Sequence, residues 1–475
     1  MKKSMTILAI LLVLFPTVAL AMSAEAEGHI ERQLRSARIP SAAVAVVQGG
    51  EVSFVLKESS MDTLYSIQSL SKPFTAFGVL LLEDMGLLCI SDPVNQHLPW
   101  FSVQHNGAPV PHEDLTIYNL IHHTSGISAN ENRFPRADLS ETTDEFISRL
   151  IDMELDFEPS TDTAYSNMAY MILGLLIESV SGQSYDEFMT QNVLHPLGLY
   201  DTFTDVERAW ATGRVAGGHG RGFFLILRET RVLYRHVTEI PAGGIHSGIA
   251  DLARWAGIHL GTVEVSEQFA RVVQRSHMLK DGGYFHDGGW NISLVSGFEH
   301  GGQGAGYSVA MRISTENNTA VVVLSNLRYI NIENIREVAY DAAISGVFNN
   351  RRIDMHEITD TLLTILCIVG IVYAVLIVKQ AIKLRKKLRG GYVLRFEFSI
   401  NIIKSFVGGP LLSIAFLISY YAFPYVFFDT TRNSILTNWP ISFGVATAAI
   451  WIMVIHDIFV WGSKHVTASP MRRNV

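Results

Sequence analysis

Two pairs of strand-like segments bracket the first 350 residues and set what the chain between them can become. Residues 43–47 and 52–55 carry alternating apolar side chains on either side of Gly49-Gly50, the pattern of a β-hairpin. Near the far end, residues 307–314 and 319–324 read as two strands joined by the turn-forming stretch Glu316-Asn317-Asn318. An amphipathic helix over 332–347 follows, and apolar periodicity predicts helices over 74–82, 115–121 and 168–180. Strands at both ends with helices between them predict an α/β sandwich around one antiparallel sheet.

Beyond residue 350 the chain changes character. It has 475 residues, 48% hydrophobic and only 17% charged, and that balance points to membrane segments. Residues 361–378, 405–427 and 441–461 are each apolar and long enough to span a bilayer as a helix. The loop 379–404 holds Lys379, Lys383, Arg385, Lys386, Lys387, Arg389, Arg395 and Lys404 against Glu397 alone, which places it in the cytoplasm. The loop before the third span carries one Asp429 and one Arg432, and the tail 462–475 ends basic with Lys464, Arg472 and Arg473. At the other end, Lys2 and Lys3, an apolar run to Phe15 and the small-x-small Ala19-Leu20-Ala21 read as a signal peptide over 1–21. Both signals put the domain 23–350 outside the cytoplasmic (inner) membrane of a bacterium, facing the periplasm or exterior, with the bilayer as a partner.

Other classes are set aside. Cys89 belongs to the first 350 residues and Cys367 to an apolar run, so no disulfide is expected. There is no H-E-x-x-H and no Cys/His cluster of zinc-like spacing, and the histidines, adjacent His122 and His123 included, read as scattered packing and surface residues. No metal, cofactor or nucleic-acid partner is expected. Gly306-Tyr307-Ser308-Val309-Ala310 approximates a G-x-S-x-G elbow but lacks its last glycine, so Ser308 reads as strand surface and Ser125 as a turn or cap residue.

The chemistry concentrates at Ser69-Leu70-Ser71-Lys72, which enters the helical run at 74–82. Residues three apart share a helix face, so the serine hydroxyl and the lysine amine can hydrogen-bond. A helix N-terminus adds positive potential that can lower the lysine pKa and let it deprotonate the serine. Tyr165-Ser166-Asn167 stands just ahead of a helix. A tyrosine beside a lysine loses its proton more readily, which makes Tyr165 a general base or acid. Asn167 offers a donor and an acceptor for a substrate amide. Glu299-His300-Gly301-Gly302-Gln303 precedes the terminal strands, where glycines let a substrate backbone approach. The backbone N–H groups of Ser69 and Gln303 can form an oxyanion hole. The bland alternatives are a chance S-x-x-K and a structural His300.

Ser69-x-x-Lys72, Tyr165-x-Asn167 and His300-x-Gly302 resemble, in order, the three motifs of the serine β-lactamase and penicillin-binding protein superfamily in its class C-like branch. Two more segments are similar to that branch: Leu115-Thr116 through His123-Thr124-Ser125-Gly126, and Ala242-Gly243-Gly244 with Ser247 and Asp251-Leu252-Ala253. The resemblance implies a β-lactamase-like sandwich with an antiparallel sheet and a helical subdomain, preceding the three C-terminal spans. It also implies an acyl-enzyme on Ser69, with Lys72 and Tyr165 moving protons. Where many members carry Lys-Thr-Gly for a substrate carboxylate, this chain has His300-Gly301-Gly302, and His300 there is either cationic or a hydrogen-bond donor.

Leader, exported domain and three spans together resemble the membrane-bound prodrug-activating D-asparaginyl peptidases, such as those that mature colibactin, xenocoumacin and zwittermicin. That likeness implies removal of an N-acyl-D-asparagine cap from an acylated peptide or peptide–polyketide small molecule. Pro241 through Ile245-His246-Ser247 carries it, and by resemblance His246 helps bind the asparagine side chain, with Asn167, His300 and Gly302 also at the substrate. Two positions depart from that group, Ser66 in place of an acid and Gly304 in place of an asparagine; Gln68 and Asn167 stand nearby as substitutes. The alternatives are a cell-wall D-Ala-D-Ala carboxypeptidase, a β-lactamase-like enzyme or an esterase, or a non-catalytic membrane-bound sensor. A homodimer is left open.

Overall fold

The computed structural model describes residues 22–128, 142–221, 227–229, 237–279, 283–293, 297–328 and 330–350, with isolated residues and short runs between 365 and 394 and at 466–468. The chain divides into two compact units, 1–220 with 229–352 and 221–228 with 353–475.

The strands that matter in the first unit are β1 (Ala42–Gln48), β2 (Glu51–Lys57), β3 (Leu64–Ser66), β4 (His246–Gly248), β5 (Asn291–Ile292), β6 (Phe298–Gly304), β7 (Tyr307–Ser314) and β8 (Thr319–Ser325). Six of them form one antiparallel sheet in the order β5-β6-β7-β8-β1-β2. Gln48 pairs with Glu51, so Gly49 and Gly50 are the whole turn, and both take the positive φ that a tight hairpin turn needs. The first strand then closes against the last, from Ala42 opposite Ser325 to Gln48 opposite Thr319. The predicted α/β sandwich is therefore a sheet sewn together by the two ends of the domain.

The period-2 alternation of these strands serves two cores at once. Val44, Val46, Ala310, Val321 and Val323 point to one face, under α1 (Ala24–Ser36) and α7 (Ile332–Ile344). Ala43, Ala45, Val47, Val309, Met311, Val322 and Leu324 point to the other, into a larger helical body. That body contains α2 (Ser71–Asp84), α3 (Ile117–Ile121), α4 (Asn167–Ser181), α5 (Ile249–Leu260) and α6 (Glu267–Ser276). Residues 71–82 of α2 are all buried, as expected of a helix at the centre of a body rather than on its surface. Trp255 of α5 holds it by stacking on Phe74 at 4.4 Å and meeting Phe77 edge-on at 5.1 Å.

Boundaries differ from the sequence expectation where caps decide them. The helix expected from 115 starts at Ile117, because Thr116 and Asn119 form a capping box. The helix expected to reach 347 ends at Ile344, with Gly346 left-handed beyond it. Ser308 is not strand surface: both sheet faces are covered, and its hydroxyl is buried without a hydrogen-bond partner among the described residues. The signal peptide and the spans 405–427 and 441–461 lie outside the described residues, as do most of 361–378, 379–404 and 462–475. Among the described residues no helix is long and apolar enough to cross a membrane. In the second unit, Ile365, Ile368, Val375, Val378 and Ile382 are helical and exposed, and Tyr392–Leu394 pairs antiparallel with Val466–Ala468.

Several histidines are sealed into the first unit. His259 and His277 share a 2.8 Å hydrogen bond, and His286 Nδ1 donates to the His277 carbonyl at 2.9 Å. Burial holds all three below the usual imidazole range, His277 at about 4, and it does the same to His123 and His300. The unfolded chain takes up protons at these sites below pH 6.5, and the fold does not. Their contribution is therefore complete above pH 6.5 and is lost as pH falls towards 4, by up to about 1.4 kcal/mol per histidine per pH unit. Buried Asp251, pushed up to about 6, and the raised Glu178 and Glu333 act in the opposite sense, with fewer groups. The urea midpoint should fall markedly between pH 7 and 5.5, and less in a His277→Asn variant; a midpoint that is flat or rises on acidification contradicts this.

Candidate active site

The site begins with a strained turn. β3 pairs with β4, Ser66 opposite His246, and Ile67 N–H donates to the Ile245 carbonyl at 2.9 Å. Gln68 then takes a left-handed φ of 51°, unusual for a non-glycine residue. Several bonds hold it there. Its side-chain amide donates to Ser66 Oγ at 2.7 Å, its carbonyl accepts from Ser71 Oγ at 2.7 Å, and Ser71 Oγ accepts from Ile245 N–H at 3.1 Å. The chain leaves this turn as a short 3-10 segment, Gln68–Leu70, that runs into α2. Ser69 is half-buried, and one turn on stands Lys72, fully buried.

Lys72 gathers the expected constellation. Its Nζ donates to Ala242 O at 2.6 Å and to Asn167 Oδ1 at 2.7 Å, and lies 3.4 Å from Ser69 Oγ. The Tyr165 ring is 4.7 Å from the same nitrogen, and the Tyr165 hydroxyl is hydrogen-bonded to Ser69. Ser166 caps α4 through the Ala169 N–H, which fixes Asn167 as the first helical residue, facing the lysine.

Two expectations change here. Tyr165 was expected to deprotonate readily beside the lysine. Instead burial pushes its phenol well above the ordinary value, and the bond to Ser69 offsets only part of that. At neutral pH Tyr165 is a proton donor. Asn167 was expected to hold the substrate amide, yet its side-chain oxygen is engaged by Lys72.

The glycines of β6 were expected to admit a substrate backbone; Gly302 instead admits the chain's own nucleophile turn. An added Cβ on Gly302 would sit 2.4 Å from Ile67 O, 2.8 Å from Gln68 Cβ and 2.9 Å from Ser69 N, so β6 lies directly on the nucleophile turn. Only glycine fits there. Gln303 follows, exposed, with its side chain donating to the Ile330 carbonyl at 3.2 Å. His300 is buried, and its Nδ1 donates to Gly301 O at 2.7 Å. Burial, with Lys72 nearby, pushes it down to about 3, so the cationic form expected as one option is absent near neutrality. On the β4 side, buried His246 donates from Nδ1 to Gly244 O at 3.0 Å. A cavity of about 960 Å³ lined by Glu83, Tyr118, Glu158 and Arg275 contains none of these residues.

The sequence reading missed His123. It takes a φ of 57°, its carbonyl accepts from Ala164 N–H at 2.9 Å, and its Nδ1 accepts from Ser166 N–H at 3.0 Å. The backbone is thus clasped on both sides of Tyr165, and the imidazole packs on the Tyr165 ring at 4.4 Å. Burial keeps His123 neutral, as an acceptor at Nδ1 must be. The signal was the run ending in Gly126, whose φ of 77° and closeness to the Phe157 carbonyl tie this loop down. Neighbouring His122 turns away to Asp287 at 2.7 Å.

Comparison with known proteins gives the family and the fold. Residues 26–343 match the family model described as Beta-lactamase. The chain is 24% identical to Protein flp of Staphylococcus aureus strain N315 over 463 residues, 91% of this chain and 88% of that protein. It is 34% identical over 150 residues to Penicillin-binding protein 4* of Bacillus subtilis strain 168, 30% of each chain. A solved structure described as a β-lactamase/D-alanine carboxypeptidase from Pseudomonas syringae superposes with a TM-score of 0.58 at 17% identity, covering 68% of this chain and 99% of that one. The octameric penicillin-binding protein homologue from Pyrococcus abyssi gives 0.56 at 22%, covering 68% and 77%.

Two outcomes are expected at this site. Gly302→Ala should lower turnover by about 100-fold through displacement of Ser69, while circular dichroism stays unchanged; full activity would mean that the strand does not press on the turn. His123→Phe should reduce kcat about 10- to 100-fold with little change in KM, and His123→Asn, which restores an acceptor, should recover part of it. Equal rates in both variants would remove His123 from the positioning of Tyr165.

Proposed function

Because the chain belongs to the beta-lactamase family, and so to the serine β-lactamase and penicillin-binding-protein-like hydrolases, we propose that it is a membrane-anchored serine peptidase working through a Ser69 acyl-enzyme. The observation that carries this is the meeting of Ser69, Lys72 and Tyr165 around one buried amine. As a neutral amine, Lys72 gives its two N–H groups to Asn167 and Ala242 and directs its remaining position at Ser69 Oγ. It takes the Ser69 proton as Oγ attacks the substrate carbonyl. The backbone N–H groups of Ser69 and Gln303 receive the oxyanion. Protonated Tyr165 gives its proton to the departing amine as the C–N bond breaks, and Lys72 returns a proton to Tyr165. Water then attacks the ester by the same route in reverse, releasing the acid and restoring Ser69.

The substrate we assign is an amide carrying an N-acyl-D-amino acid of the asparagine type, cut from an exported precursor. In support stand the Ile245-His246-Ser247 run and the pairing of His246 with Ser66 on one side of the nucleophile turn. Ser66 and Gln68 form a buried polar pair there, suited to a carboxamide. His246, His300 and Gly302 line the approach in this reading, and Asn167 acts on it through Lys72. Cleavage of D-Ala-D-Ala peptides or β-lactams is the second reading, favoured by the description of the Pseudomonas syringae structure.

The location we assign is the bacterial inner membrane, with the hydrolase unit outside. Three apolar runs and the basic loop support it. Strand pairing of residues 392–394 with 466–468 joins the basic loop to the tail, two segments that this topology puts on one side.

Membranes bearing the protein should release N-myristoyl-D-Asn from its amide conjugate and spare the L-form, read by mass spectrometry. Ser69→Ala and Lys72→Ala should abolish release, and Tyr165→Phe should cut it at least about 100-fold. Failure on both conjugates, with turnover of D-Ala-D-Ala peptides instead, would replace the D-asparaginyl reading by the second one.

A further inference from the structure

His300 is an acceptor built beside the nucleophile. Its Nδ1 proton is committed to the Gly301 carbonyl, which leaves Nε2 as a lone pair in the neutral ring. That Nε2 is buried and has no hydrogen-bond partner among the described residues. Buried acceptors are rarely left so, and an orphan of this kind calls for a reason. Its place on the strand supplies one. Alternate residues of a strand share a face, so His300 projects on the side of β6 that carries Gly302, the side pressed against Ile67, Gln68 and Ser69. On the opposite face, Glu299 binds Arg336 at 2.9 Å and Gly301 meets Glu333. The amine nearest this chemistry, Lys72, is already engaged with Ala242 O and Asn167 Oδ1 and lies 3.4 Å from Ser69 Oγ.

We propose that His300 selects substrates presenting an uncharged hydrogen-bond donor, a carboxamide N–H or a hydroxyl, beside the scissile bond, and rejects those presenting a carboxylate there. A lone pair attracts a donor and repels an anion. An imidazole locked by Gly301 in this tautomer cannot offer Nε2–H to an anion without giving up that bond or taking a second proton in a buried site. The inference rests on the Ser69 hydrolase reading and deepens it: the same site takes amides of neutral leaving groups and disfavours peptides ending in a free carboxylate.

Protection of Ser69 from a small neutral fluorophosphonate, in membranes bearing the full chain, tests this. N-myristoyl-D-asparaginyl-glycinamide, the glycine methyl ester and the free glycine acid serve as protectants, and labelled Ser69 is read by mass spectrometry. The glycinamide should protect at concentrations at least about tenfold below the acid, with the methyl ester, neutral but without a donor, between them. His300→Lys should reverse the order of amide and acid, and His300→Leu should erase the advantage of the amide over the ester. Equal protection by amide and acid, better protection by the acid, or none by the amide overturns the inference. The label separates the two levels: Ser69 that resists fluorophosphonate altogether, in protein that melts cooperatively, brings down the hydrolase reading and this inference with it, whereas ready labelling with the wrong order of protectants brings down this inference alone.

Discussion

One buried nitrogen ties the site together. Lys72 Nζ reaches three segments that are distant in sequence: the Ser69 turn, the first residue of α4 and the Ala242 carbonyl before β4. A lysine this deeply buried is costly unless every N–H finds an acceptor. The two short bonds go to uncharged oxygens, which satisfy the amine without fixing a carboxylate beside it. The cost is offset by the helical body around α2, where Phe74, Phe77 and Trp255 interlock. Stability of the core and orientation of the nucleophile are therefore the same arrangement viewed from two sides.

The sheet supplies the other half. Its period-2 faces let α1 and α7 cover one side while the helical body covers the other, and this leaves the β6 edge from His300 onward against the Ser69 turn. Gly302 lets that edge come to van der Waals contact, which brings two backbones to within reach of one carbonyl. The positive φ of Gln68 and of His123 are strained points of this assembly, and each is held by hydrogen bonds, Gln68 to the Ser66 and Ser71 hydroxyls and His123 to the Ala164 and Ser166 N–H groups. Strain of this kind, pinned by its surroundings, is what presents Ser69 and Tyr165 to each other.

Much of this was legible in the residues. The Gly49-Gly50 turn and the terminal strands follow from alternation and turn chemistry alone, and the i, i+3 spacing of Ser69 and Lys72 follows from helix geometry. What could not be read depends on burial by distant chain. The same lysine suggested an easily ionised Tyr165, but a desolvated phenol outweighs it. His123 looked like packing because its backbone contacts lie some forty residues away, at Ala164 and Ser166. The choice between a cationic and a neutral His300 turns on burial of the ring and on Lys72 beside it, which together outweigh the Gly301 carbonyl. Ser308 was misjudged because a sheet covered on both faces has no surface strand there. The three C-terminal spans lie largely outside the described residues, and their reading stands on hydropathy and charge.

The central claim is that Lys72, held by Asn167 and Ala242, makes Ser69 a nucleophile. The most direct test is the second-order rate at which a neutral fluorophosphonate modifies Ser69, compared among the wild type, Lys72→Ala and Asn167→Leu at pH 7.5. A loss of about 100-fold or more in the lysine variant, with a smaller loss when only its Asn167 partner is removed, is the result this account predicts. Labelling of Lys72→Ala at the wild-type rate would contradict it.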